Sequence, residues 1–140
     1  MNQLDFKGRH AVVTGGATGL GYAIAQRLVA SGGSVSLWDR DEAAAHQAAQ
    51  ALGQGTQAVA VDVAQQPSVA AAVQATLAKT GRIDALVNSA GITGPNTRVW
   101  DYPVDAWRQV MEVNLTGLFI CCREVVPAMR ERNYGRIVNI

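Results

Sequence analysis

The chain has 140 residues, the size of one domain, and its 49% hydrophobic share is enough to bury a sizeable core. A net charge of +1 offers no basic field for nucleic acid, and no apolar run approaches the roughly 20 residues of a membrane span. The opening stretch Met-Asn-Gln-Leu-Asp-Phe-Lys-Gly-Arg-His lacks the apolar centre of a signal peptide.

The first element is a strand-like run over 11–13, and a helical run over 19–30 follows it. Between them lies Thr14-Gly15-Gly16-Ala17-Thr18-Gly19-Leu20-Gly21. A strand that turns into a helix through positions without side chains makes a phosphate cradle. Backbone N–H groups face outward, the helix N-terminus adds partial positive charge, and no Cβ blocks a pyrophosphate. The spacing here is Gly-x-x-x-Gly-x-Gly rather than Gly-x-Gly-x-x-Gly, so the candidate rests on its strand-to-helix context.

The second strand is predicted over 34–38 and the second helix over 41–52, with Asp41 placed to cap it. Asp39 stands at the strand's tip, where a carboxylate can accept hydrogen bonds from the ribose hydroxyls of an adenosine and repel a 2′-phosphate, favouring NAD over NADP. Arg40 follows it and pulls toward NADP, since arginine can receive that phosphate. Asp39 can equally serve as a turn or capping residue.

A third strand over 58–61 leads into Asp62 and Val63, and a helix over 66–80 follows. An acid at a strand's carboxyl end faces the crevice where open α/β sheets bind ligands, and an adenine amino group suits it. Read alone, Asp62 is a turn residue. The fourth strand, over 85–87, runs into Asn88-Ser89-Ala90-Gly91. Small residues there admit a ligand close to the backbone, and Asn88 can tie loops together; a plain hydrogen-bonded turn is the competing reading.

A long helix is predicted over 104–132, with a kink or break at Pro127, before a last strand over 136–140. Within the helix, Asn114 and Gly117 are poor helix formers three residues apart, and broken local rules hint at function. Asn114 can hold a water, bend the helix, or be a satisfied polar residue on its face. Cys121 and Cys122 are neighbours that geometry keeps from bridging, and they read as core thiols in a reducing cytoplasm. His10, read as preceding the first strand, and His46, on an Ala-rich helix, are expected to be bland. The alternation of strands and helices predicts a doubly wound parallel sheet in one domain spanning 1–140.

Taken together, the Thr14–Gly21 loop, Asp39, Asp62-Val63, Asn88-Ser89-Ala90-Gly91 and Asn114 within Val-Asn-Leu-Thr-Gly resemble the short-chain dehydrogenase/reductase family over nearly the whole chain. Ser89 departs from it, standing where that family often has a second asparagine. The resemblance implies a Rossmann-like sheet of order 3-2-1-4-5 and hydride transfer between a nicotinamide cofactor and a carbonyl or secondary alcohol of sugar, polyol or 3-oxoacyl type. It implies that Gly15, Ala17, Thr18, Gly19, Leu20 and Gly21 hold the pyrophosphate, that Asp39 and Arg40 meet the ribose, and that Asp62 and Val63 meet the adenine. It also implies that Asn88, Ser89, Ala90 and Gly91 line the cofactor toward the nicotinamide, and that Asn114 positions a water in a proton relay. A homotetramer joined partly through the long helix is a further implication.

The family's acid–base chemistry uses a serine past the fifth strand and a Tyr-x-x-x-Lys pair, in which the lysine cation lowers the phenol's pKa. The lysines here are Lys7 and Lys79, and four places beyond Tyr22, Tyr102 and Tyr134 stand Gln26, Ala106 and Val138, so the pair does not occur. The expectation is that these residues are the front part of a longer polypeptide, or that a second polypeptide carries the catalytic half; a self-standing truncated product is the alternative. The competing functional readings are a non-catalytic nucleotide-binding module and an interaction protein using the helix over 107–132.

Overall fold

The computed structural model describes residues 2–140, so that Met1, the start of the opening stretch read above, lies outside it. Five strands, β1 (His10–Thr14), β2 (Ser34–Asp39), β3 (Thr56–Ala60), β4 (Ala85–Asn88) and β5 (Arg136–Asn139), form one sheet of order β3-β2-β1-β4-β5. All four pairings are parallel. The helices are α1 (Gly19–Ala30), α2 (Glu42–Leu52), α3 (Gln66–Thr80), α4 (Val104–Met111) and α5 (Gly117–Glu131).

Strand alternation sends side chains to two cores. Ala11 and Val13 of β1 pack with Val35, Leu37 and Val87 against Ala25 of α1 and Ala48 of α2. Val12 points to the other face, where Trp38 and Leu86 meet Val69 and Val73 of α3 and Cys121, Val125 and Met129 of α5. That is why β1, β2 and β4 read as nearly continuous apolar runs. Asp41 caps α2 as expected, its carboxylate accepting the Ala44 N–H at 3.0 Å.

The third strand runs over Thr56–Ala60 rather than 58–61, because its limits follow its pairing with β2, from Val35↔Thr56 to Asp39↔Ala60. Val61, Asp62 and Val63 therefore lie just beyond it. The long helix is interrupted, but not at Pro127, which sits inside a continuous α5. The break is a π-helical turn, Glu112–Thr116, where the Gly117 N–H reaches back to the Glu112 carbonyl. Gly117 is needed here, since a Cβ would lie 2.7 Å from Val63 Cγ2. β5 lies at one end of the strand order, with Ile137 and Val138 exposed.

His10 is not before the first strand but its opening residue, and it is 1% exposed. Its Nδ1 and Nε2 face the hydroxyls of Ser34 at 2.7 Å and Ser36 at 2.8 Å. Burial pushes the imidazole down to about 4, against the pull of the Asp84 charge. Asp84 accepts the His10 N–H at 2.7 Å and both arms of the Arg82 guanidinium at 2.7 Å. Its own burial opposes ionisation, but the Arg82 and His10 hydrogen bonds and the Arg82 and Arg132 charges outweigh it and hold the carboxyl below its usual range.

Candidate functional site

From β1 the chain winds outward to β2 and β3, then returns to place β4 on the other side of β1. That reversal leaves a crevice beyond the carboxyl ends of β1 and β4, the place where open α/β sheets bind ligands. The crevice encloses about 570 Å³. The first βα loop lines it with Gly15, Thr18, Leu20 and Gly21, and the tip of β2 with Asp39 and Arg40. Asp62 and Val63 come from beyond β3, and Ser89, Ala90 and Gly91 from beyond β4. Four loops distant in sequence thus converge on one crevice.

The glycines of the loop do different work. Gly15 has φ +62°, and a Cβ on it would lie 3.0 Å from Ala90 Cα; a Cβ on Gly21 would run into the Gly15 carbonyl oxygen. These two are required by the protein's own packing. Gly19, at φ +56°, has open space where its Cβ would be. Ala17 and Gly19 do not line the crevice; Ala17 instead donates its N–H to Asp39 Oδ2 at 3.1 Å. The other Asp39 oxygen accepts the Asp41 N–H at 3.0 Å, so this carboxylate braces both the glycine loop and the entry to α2.

Asp62 is organised in the same way: Oδ1 accepts the Ala64 N–H at 3.0 Å while its own N–H donates to Ser68 Oγ at 3.0 Å. Asn88 lies under the crevice rather than in it. Its Nδ2 donates to Asn139 Oδ1 at 2.9 Å, tying β4 to β5. Asn114 falls in the π turn, and its carboxamide closes a two-way clamp on Ile92: Oδ1 accepts the Ile92 N–H at 2.8 Å and Nδ2 donates to the Ile92 carbonyl at 2.9 Å. The Asn114 side chain thus holds the loop after Gly91.

Several participants escaped the sequence reading. Thr14 Oγ1 accepts the N–H groups of Ser89 and Ala90, each at 3.0 Å, and so locks the end of β1 to the loop after β4. Gln109 and Val113, one helical turn apart, line the crevice with Ile92; their (i, i+4) spacing beside Asn114 was a signal that the α4 face approaches the site. Cys121 is buried, and burial, helped by the neighbouring Cys122, pushes its thiol up to about 12, as suits a core residue. Both cysteines are free.

A family model described as short chain dehydrogenase matches residues 9–140. The chain is 50% identical over 135 residues to the 2-dehydro-3-deoxy-L-rhamnonate dehydrogenase (NAD(+)) of Sphingomonas sp. (strain SKA58), covering 96% of this chain and 54% of that protein. It is 40% identical over 138 residues to the 2-(R)-hydroxypropyl-CoM dehydrogenase of Xanthobacter autotrophicus, covering 94% of this chain and 55% of that one. The crystal structure of NAD+-bound xylitol dehydrogenase superposes with a TM-score of 0.93 at 33% identity, over 96% of this chain and 53% of that one. That of the 3-ketoacyl-(acyl-carrier-protein) reductase from Brucella melitensis complexed with NADH gives 0.89 at 33% identity, over 91% and 53%. The chain spans about half the length of the curated relatives it matches.

Proposed function

The chain belongs to the short-chain dehydrogenase family, and on that premise we propose that it forms the cofactor site of an NAD-dependent oxidoreductase acting on a secondary alcohol or the corresponding ketone. The observation that carries the reading is the convergence of the glycine loop, Asp39, Asp62 and Ala90-Gly91 on one crevice of about 570 Å³. The residues fit the dinucleotide: Gly15 and Gly21 bring side-chain-free backbone of the first loop to the crevice, and a carboxylate stands at the tip of β2.

In this reading the first loop and the N-terminus of α1 bind the pyrophosphate, and Asp39 binds the adenosine ribose and disfavours a 2′-phosphate. Asp62 and Val63 border the adenine. Ser89, Ala90 and Gly91 flank the nicotinamide half, with Asn88 supporting them from below and Asn114 holding Ile92 in place beside them. Bound there, NAD would supply the acceptor for a hydride from the alcohol carbon. The acid–base groups come from outside the 140 residues, in continuing sequence or in a second polypeptide. The 50% identity to a 2-dehydro-3-deoxy-L-rhamnonate dehydrogenase favours a sugar-acid substrate over a polyol or a 3-oxoacyl thioester.

The exposed apolar side chains Val104, Trp107, Leu115 and Phe119 along α4, the π turn and α5 suit a contact with the same helices of another copy, in keeping with a homotetramer. Free thiols suit a reducing cytoplasm. The test uses the full-length protein, titrated with NAD and NADP and then supplied with 2-dehydro-3-deoxy-L-rhamnonate, xylitol and a 3-hydroxyacyl thioester. NAD binding with NADH formation on the sugar acid is expected; no NAD binding would refute the reading, and sedimentation gives the subunit number.

A further inference from the structure

Asn88 ends β4 with its side chain on the α5 face of the sheet, and the residue is 4% exposed. Its Nδ2 is satisfied by Asn139 Oδ1, with Cys122 Sγ more distant at 3.5 Å. Its Oδ1 has no partner although it is shut off from solvent. A buried acceptor without a donor is the kind of exception that calls for a physical reason. Beside it is a small cavity of about 10 Å³, bordered by Thr14, Val63, Asn88, Val113, Gly117 and Cys121, among others. That is the room one water needs, provided polar partners are present.

A second partner comes from the π turn. The Gly117 N–H donates to the Glu112 carbonyl five residues back, which diverts the amide that an α-helix would give to the Val113 carbonyl. Val113 borders this same cavity. Two acceptors, Asn88 Oδ1 and the Val113 carbonyl, match the two O–H donors of one water.

We propose that a single, long-lived water occupies this cavity and joins Asn88 Oδ1 to the Val113 carbonyl. It ties the end of β4 to the π turn, on the core side, away from the Asn114 clamp. The cavity and the cofactor crevice share Val63, Ala90 and Val113, so the water lies directly beneath the crevice floor. Asn88 is in that case a positioning residue: it touches no bound dinucleotide but stiffens the surface on which one rests.

Water–amide NOE and magnetic relaxation dispersion measurements on the full-length protein test this. A persistent water cross-peak at the Gly117 or Leu118 amide is expected in the wild type. Asn88→Leu, alike in branched outline but larger and without the acceptor or the donor to Asn139, should lose that cross-peak and bind NAD about three- to tenfold more weakly, the size of one net hydrogen bond. Asn88→Asp, which keeps an oxygen acceptor, should retain the water. Absence of a slowly exchanging water in the wild type, or its survival in Asn88→Leu, overturns the proposal. The wild-type measurement decides by itself if Asn88→Leu does not fold, and it does not depend on the enzyme's activity.

Discussion

Asp39 Oδ2 accepts the Ala17 N–H at 3.1 Å, across 22 residues of sequence, so the carboxylate at the tip of β2 also sets the shape of the glycine loop. From the sequence, Asp39 could serve both in ribose recognition and as a turn or capping residue, and the geometry leaves room for both.

The two roles separate by substitution. Asp39→Asn keeps an acceptor for Ala17 but removes the charge that opposes a 2′-phosphate. With one oxygen left for the Ala17 and Asp41 N–H groups, its melting temperature should fall modestly, while the preference for NAD over NADP falls about tenfold, the scale of one close charge repulsion. Asp39→Ala should lose both loop order and discrimination. Titration with each dinucleotide reads the result, and an unchanged preference in both variants would rule out the ribose role.

Glycines in the same loop should respond differently. In Gly21→Ala the new methyl meets the Gly15 carbonyl, so the variant should be destabilised by about 1–3 kcal/mol, as overpacking is. In Gly19→Val the side chain enters open space and only the positive φ resists it, at about 1–2 kcal/mol. This second variant should remain folded yet bind NAD more weakly, because Gly19 opens α1, whose N-terminus is proposed to bind the pyrophosphate. Undiminished affinity in folded Gly19→Val would put the pyrophosphate elsewhere.

Thr14 is 1% exposed and holds two backbone amides. Thr14→Val keeps the shape and strands both donors, so urea denaturation should show a loss of about 2 kcal/mol or more. Thr14→Ser, which keeps the hydroxyl, should recover most of it. Equal stability of the Val and Ser variants would contradict the bridging role.

Acid should weaken the fold in two steps. The unfolded His10 imidazole titrates near 6.5, while the folded one is depressed to about 4. Between those values the unfolded chain binds a proton that the native state refuses, so stability falls as pH drops from 6.5 to 4, by about 3 kcal/mol, and this contribution then levels off. Asp84 acts lower: its folded carboxyl is depressed, so its contribution is complete above its ordinary value and disappears as pH falls through the folded one. Denaturant midpoints across this range should show the upper step in the wild type and a flatter profile in His10→Gln.

The alternation of strands and helices, the glycine loop, the Asp41 cap and the acids at strand ends were all legible in the chain, because each depends on neighbours within a turn or two: periodicity, propensity and turn chemistry. The carboxyl-edge crevice was expected of any open parallel α/β sheet, with the strand order implied by the family resemblance. What the chain did not disclose depends on partners far apart in sequence. The bounds of β3 come from its register with β2, and the π turn lies where α5 approaches Val63 closely enough to require Gly117. The Asn114–Ile92 clamp, the Thr14 bridge and the His10–Ser34–Ser36 cluster likewise exist only once the sheet is assembled. A polar side chain's identity limits what it can bond, but its partner is chosen by which backbone the fold brings within 3 Å.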